Sequence, residues 1–338
     1  MELSRKGFLA ALAAQAAGAA FGGDAKPASR LSLSVTPGGR EFAGMNGAFA
    51  ALYTPYAPDG RINLEMIDRI VEYGLSRGLK GFYVTGSTGE SMYLSVEERA
   101  AVIARAVKAV NGRGKVIAHV GYASTDDSIR CAKLAADAGA DWVSSVAPGF
   151  LAFGADAVFN HYRLVAQATD RPFLVYSWKQ DVDPDRDAKL FDIPNVKGMK
   201  YTASDFYSVQ RLKRRIGKEA VFYVGNDPML LPGLAYGNVF NGGIGLYYNF
   251  MPKHFAQVCA CVAAGRFDEA AVWQDEINRV MDATSTTDYS VRKAIMKYIG
   301  LDCGPCRHPF EALSPERYDK LCATLDALGI IRRNDALS

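Results

Sequence analysis

Eight short apolar runs, each followed by an amphipathic segment, constrain this chain more than any other feature. The runs are Gly47–Leu52, Gly81–Val84, Lys115–Val120, Trp142–Val146, Phe173–Tyr176, Val196–Lys200, Val221–Val224 and Gly243–Leu246. Their length and their bounding turn residues predict strands. Between them lie Leu64–Ser76, Val96–Val110, Ser128–Ala138, Asp156–Thr169, Phe206–Ile216, Met229–Tyr236 and Lys253–Ala263, all with helical spacing of apolar residues, and the shorter Asp185–Phe191. Ser95 and Glu98 form a capping-box pattern ahead of Val96–Val110, and Gly112 and Gly139 stand where helices should stop. Eight β-then-α units over about 220 residues predict a (β/α)8 TIM barrel spanning residues 44–265. A doubly wound open sheet would want a glycine-rich phosphate turn after its first strand, and Leu52-Tyr53-Thr54-Pro55-Tyr56 is not one. Beyond Gly265 the pattern is helical only. Phe267–Met281, Tyr289–Tyr298 and Pro315–Leu328 predict an appended C-terminal helical layer, residues 266–338.

Bulk composition narrows the partners. With 49% hydrophobic residues the chain can bury a large core, and a formal charge of +3 gives no footprint for nucleic acid or an anionic membrane. The four histidines show no metal-ligand spacing; His119, near the end of the third strand, reads as a packed barrel histidine. The six cysteines are scattered and suggest no disulfide scaffold. Cys303-Gly304-Pro305-Cys306 has redox spacing, but it falls late in the chain, after a helix. Structural packing is the reading, with an incidental disulfide as the alternative.

The first 25 residues differ from the rest. A basic start, Met1 to Gly7, precedes an alanine-rich apolar stretch, Phe8 to Ala20, too short to span a membrane. Small residues follow, so 1–25 reads as an export signal and 26–43 as a linker. Ser4-Arg5-Lys6-Gly7-Phe8-Leu9 resembles a twin-arginine signal with lysine in the second arginine's place, which implies a periplasmic protein. The alternative is a frayed alanine-rich helix on a cytoplasmic protein.

In such a barrel, reactive groups sit at the C-terminal ends of strands. Lys200 ends the sixth strand, with Val196 and Gly198 expected on the same inward side. Tyr176 ends the fifth strand, and Ser87 and Thr88 follow the second, inside the small-residue turn Gly86–Gly89. A lysine amine must be neutral to attack a ketone, and a barrel interior disfavours the ammonium. The resulting iminium is an electron sink, a phenol shuttles protons, and a turn with free N–H groups holds a carboxylate. Alone, Lys200 would read as a snorkelling strand-end lysine and Tyr176 as a core tyrosine. Together with the turn they predict a site.

Several motifs join these residues: Gly-Phe-Tyr-Val-Thr-Gly-Ser-Thr-Gly-Glu (81–90), Ile-Ala-His-Val-Gly (117–121), Gly-Met-Lys-Tyr-Thr (198–202) with Ser204-Asp205, Gly-Gly-Ile-Gly (242–245) and Cys-Arg-His-Pro-Phe (306–310). The chain from Gly44 to Leu321 thereby resembles the N-acetylneuraminate lyase and dihydrodipicolinate synthase family of class I, Schiff-base aldolases, and most of all its neuraminate lyase branch. The resemblance implies Lys200 as the Schiff-base residue, Tyr176 as the proton shuttle, and Ser87 and Thr88 as binders of the pyruvate carboxylate. Thr202, Gly225 and Asp227 would line the site of the sugar part. It also implies pyruvate and a sugar-derived aldehyde as partners, no cofactor, and a homotetramer. The chain departs from the neuraminate lyases at Pro228, where they carry a glutamate for the polyol tail, and at Leu246, where a serine is usual. Ser177-Trp178-Lys179 replaces the usual Asn-Ile/Val-Pro, and Lys179 imitates the charge but not the fork of the synthases' arginine. The expectation is aldol cleavage or condensation of a 2-keto acid with altered tail recognition. The alternatives are a synthase or dehydratase using the same lysine, or a non-catalytic binder of a keto or sugar acid.

Overall fold

A computed structural model describes residues 39–149, 151–178, 182–217, 219–284 and 287–337. The expected export segment 1–25, the linker up to residue 38, and Lys179 lie outside the described residues.

The eight apolar runs form eight parallel strands: β1 (Gly47–Ala51), β2 (Gly81–Val84), β3 (Lys115–His119), β4 (Trp142–Val146), β5 (Phe173–Trp178), β6 (Val196–Thr202), β7 (Val221–Val224) and β8 (Gly242–Gly245). They pair in chain order, and β8 closes on β1. The following helices are α1 (Leu64–Ser76), α2 (Val96–Val110), α3 (Thr125–Asp137), α4 (Ala155–Ala166), α5 (Pro184–Ala188), α6 (Phe206–Ile216), α7 (Leu230–Ala235) and α8 (Pro252–Ala263). The fold is a (β/α)8 TIM barrel, as the alternation predicts.

Period-two alternation sorts side chains into two cores. Phe49, Ile117, Leu174, Val221 and Ile244 fill the barrel, while their neighbours face the helix ring. Phe42 and Met45 close the N-terminal end, where the Trp142 indole donates to the Glu41 carbonyl. One register shift matters. Phe173 pairs with Val196, but Leu174 pairs with Gly198. Lys197 is thus an extra residue in β6, and the alternation restarts at Gly198. Val196 therefore packs in the outer core, which corrects the expectation that it shares the inward side of Lys200.

Local signals explain the helix starts. Ser95 and Glu98 make the expected capping box on α2. Helix α3 begins earlier than Ser128 because the Ser124 side chain caps the Asp127 N–H. After α8 come α9 (Phe267–Ala283), α10 (Tyr289–Tyr298) and α11 (Pro315–Leu328). Helix α9 packs on α8, and α10 brings its first turns to the barrel's C-terminal mouth: the Tyr289 hydroxyl donates to the Ser87 carbonyl at 3.1 Å.

Candidate active site

Strands β5 and β6 pair in register at Tyr176 and Lys200, so both side chains enter the barrel at one level. Lys200 is 4% exposed. Its Nζ lies 4.1 Å from the centroid of the Tyr176 ring and 4.6 Å from that of Tyr83. Tyr83 and Tyr176 meet edge to face at 6.0 Å, and the Tyr83 hydroxyl is bonded to Ser144 Oγ at 2.9 Å. The aromatic walls keep water from the amine and face it with π-density.

Opposite these walls the backbone makes room. A Cβ on Gly225 would stand 2.0 Å from Thr202 Oγ1 and 3.1 Å from Lys200 Cε. Only glycine fits where β7 ends. Thr202 Oγ1 is buried and has no hydrogen-bond partner, so it is available to a ligand. Asp227, one turn beyond β7, is buried, and its carboxylate accepts the Tyr247 N–H at 2.8 Å. Burial pushes the Asp227 carboxyl up to about 6, while the Tyr247 N–H and the charges of Lys200 and Arg292 pull the other way. Gly245 is bare for the same steric reason: its Cβ would collide with Asp227 Oδ1 at 1.9 Å.

The turn after β2 is held under backbone strain. Thr85 and Glu90 flank Gly86–Gly89 at φ 56 and 57, a left-handed conformation that is costly for a β-branched threonine. Both ends are pinned. Thr85 Oγ1 donates to the His119 carbonyl at 2.8 Å. The His119 ring in turn donates from Nδ1 to the Thr85 carbonyl at 3.0 Å and accepts the Val146 N–H at Nε2. Burial and the neighbouring Arg99 hold His119 well below the ordinary histidine range, so it is a neutral packing residue, as expected. At the other end Glu90 pairs with Lys293 of α10 at 2.7 Å, the side chains being 0% and 4% exposed, and accepts the Arg307 N–H at 2.9 Å. Lys293 also donates to the Pro305 carbonyl. The run Cys303–Cys306 is therefore a brace for α10; both thiols are free, and burial pushes each up to about 12. Inside the turn Gly89 donates to Gly86 and Glu90 to Ser87. The N–H groups of Ser87 and Thr88 open the turn and lie outside that ladder.

Lys200, Tyr176, Thr202, Gly225 and Asp227 thus gather at one end of the barrel, and Ser87 lies in the turn after β2, its carbonyl bonded by Tyr289. Thr88 is buried beside Ser87 in the same turn. Sequence reasoning missed Tyr83, although it shares the inward phase of β2 with Gly81. It also missed Lys293, Tyr289 and Arg292, because nothing in an outer helical layer signals that its side chains reach the barrel mouth, and it gave Glu90 no role because the partner of that carboxylate lies on the same layer. Among the described residues no group of three or more His, Cys, Asp or Glu is placed to hold a metal ion.

The profile of the dihydrodipicolinate synthetase family matches residues 44–328. An N-acetylneuraminate lyase of Rhizobium meliloti is 34% identical over 270 residues, covering 79% of this chain and 89% of that protein. A 4-hydroxy-tetrahydrodipicolinate synthase of Laribacter hongkongensis is 30% identical over 292 residues, covering 85% of this chain and 100% of that protein. Among solved structures, a catalytic lysine mutant of the Ruminococcus gnavus sialic acid aldolase superposes with a TM-score of 0.78 at 27% identity, over 85% of this chain and 97% of that one.

Proposed function

The chain belongs to the dihydrodipicolinate synthetase family, and on that premise we propose that it cleaves or condenses a 2-keto acid through a Schiff base on Lys200, giving pyruvate and an aldehyde. It is a carbon–carbon lyase of the class I aldolase type. One observation carries the residue assignment: a lysine amine enclosed by two phenol rings at the C-terminal end of β6. The Ruminococcus gnavus enzyme supports it, since that sialic acid aldolase has a catalytic lysine.

In the cleavage direction the Lys200 nitrogen attacks the C2 carbonyl, and loss of water leaves an iminium. Tyr176 gives its phenolic proton to that departing water, and the phenolate so formed takes the proton of the C4 hydroxyl. The C3–C4 electron pair then moves into the iminium, which becomes an enamine as the aldehyde departs. Protonation at C3 and hydrolysis release pyruvate and restore the amine. The N–H groups of Ser87 and Thr88 hold the C1 carboxylate. Thr202 Oγ1 and Asp227 receive hydroxyls of the departing part, and Gly225 leaves space for it.

Pro228 and Leu246 supply no polar group for a polyol tail, so sialic acid is not the expected substrate. The test is pyruvate release from a series of 2-keto-3-deoxy sugar acids and related 2-keto-4-hydroxy acids. Turnover of at least one, lost in Lys200→Met, is the expected result. A Lys200 adduct with pyruvate but no cleavage of any member would favour the synthase or dehydratase reading. Export from the cytoplasm and assembly as a homotetramer complete the proposal; cell fractionation and light scattering test them.

A further inference from the structure

Two neighbouring residues of α10 bury positive charge at the barrel mouth, and they are treated differently. Lys293 has the Glu90 carboxylate. Arg292 is 9% exposed, makes no ion pair among the described residues, and has an Nε buried without a hydrogen-bond partner. Its guanidinium lies over the Tyr289 ring at 4.4 Å, and Tyr289 reaches across to the Ser87 carbonyl. The Arg292 charge is felt by Tyr53, Asp227 and Tyr247, which follow β1, β7 and β8. The Asp227 carboxylate is engaged by the Tyr247 N–H and is not within ion-pair reach of Arg292.

A desolvated guanidinium without a counter-ion is unfavourable, and each buried orphan donor calls for an acceptor. A guanidinium fork matches one chemistry best, a carboxylate bound through two parallel N–H bonds. The same mouth lacks polar groups at Pro228 and Leu246, so recognition of the substrate's far end must come from another element. We propose that Arg292 forms a carboxylate subsite for the far end of the substrate, so that the preferred substrates are 2-keto acids bearing a second carboxylate. This inference rests on the Schiff-base reading of the site and adds the substrate class to it.

The test is calorimetric binding to the full chain of 2-oxoglutarate, 2-oxoadipate and 2-oxopimelate, each against the 2-oxo monoacid of the same length. In the native protein the best-fitting diacid should bind at least about tenfold tighter than its monoacid. Arg292→Met should erase that preference while monoacid affinity changes by less than about threefold. Arg292→Lys, which keeps the charge and loses the fork, should retain part of it; if Arg292→Met does not fold, the same comparison is made on Arg292→Lys, where an undiminished preference overturns the proposal. No diacid preference at any length, or one that survives in Arg292→Met, also overturns it. Borohydride trapping on Lys200 is read separately. Absence of an adduct with every keto acid counts against the Schiff-base reading, and the diacid preference is then judged by calorimetry alone.

Discussion

Replacing Glu90 by glutamine removes one charge from a pair enclosed between the β2 turn and α10. The Lys293 ammonium would lose its counter-charge and keep the Pro305 carbonyl at 2.9 Å and the face of the Tyr56 ring at 4.2 Å. Breaking one side of a buried pair costs about 3–5 kcal/mol, because the other charge is left uncompensated. The two remaining partners put Glu90→Gln near the lower end, about 3 kcal/mol. At about 2–4 °C per kcal/mol for a large domain, the melting temperature should fall by roughly 6–12 °C. The double variant Glu90→Gln with Lys293→Met removes both charges and should recover about half of that loss. The Glu90 side chain also ties the end of the Ser87–Gly89 turn to Lys293 of α10 and to the Arg307 N–H. Glu90→Gln should therefore raise KM for the keto acid by about tenfold, with kcat less affected, since the turn binds the carboxylate in ground and transition states alike. The assay is thermal denaturation and steady-state kinetics on the native protein, both single variants and the double. A loss below about 1 kcal/mol, the scale of an exposed pair, would refute the reasoning. So would a double variant whose loss equals the sum of the singles.

Tyr176→Phe keeps the aromatic wall beside Lys200 and removes the proton carrier. It should lower kcat by about 10²–10⁴-fold with little change in stability, and a near-native kcat in a pyruvate-release assay would remove Tyr176 from the mechanism. Gly225→Ala sets a methyl group against Thr202 and Lys200 Cε; overpacking of about 1–3 kcal/mol and a collapse of kcat/KM should appear in melts and kinetics, whereas native kcat/KM would show that the space is not used. For Asp227, burial pushes the folded carboxyl up to about 6, above the ordinary aspartate value of 3.8. The native state then holds the proton more tightly than the unfolded chain. The stability advantage over Asp227→Asn is full below about pH 4, is lost as pH rises through 6, and totals about 3 kcal/mol. Chemical denaturation across that range should show the fall, and a flat difference would mean that the carboxyl is not desolvated.

Much of the barrel was legible because its information is local. Strands β2, β4 and β7 and helices α1, α2 and α6 have the bounds their apolar spacing predicts. Strands β5 and β6 run two residues further than expected, to Trp178 and Thr202, because they pair with each other there; that is a tertiary fact. The slip at Lys197 was hidden for the same reason, since it exists only in the register between two strands. At the site, strand-end position pointed to Lys200 and Tyr176, which lie side by side, and the small-residue turn pointed to Ser87 and Thr88. The braces on that turn come from more than 200 residues away in sequence, through Lys293 and Arg307. No periodicity announces such a contact.

The account stands or falls on the nucleophile. The full chain incubated with pyruvate, reduced with borohydride and mapped by peptide mass spectrometry should carry one adduct, on Lys200, and none in Lys200→Met. No adduct, or one on the other buried lysine of the mouth, Lys293, would contradict it.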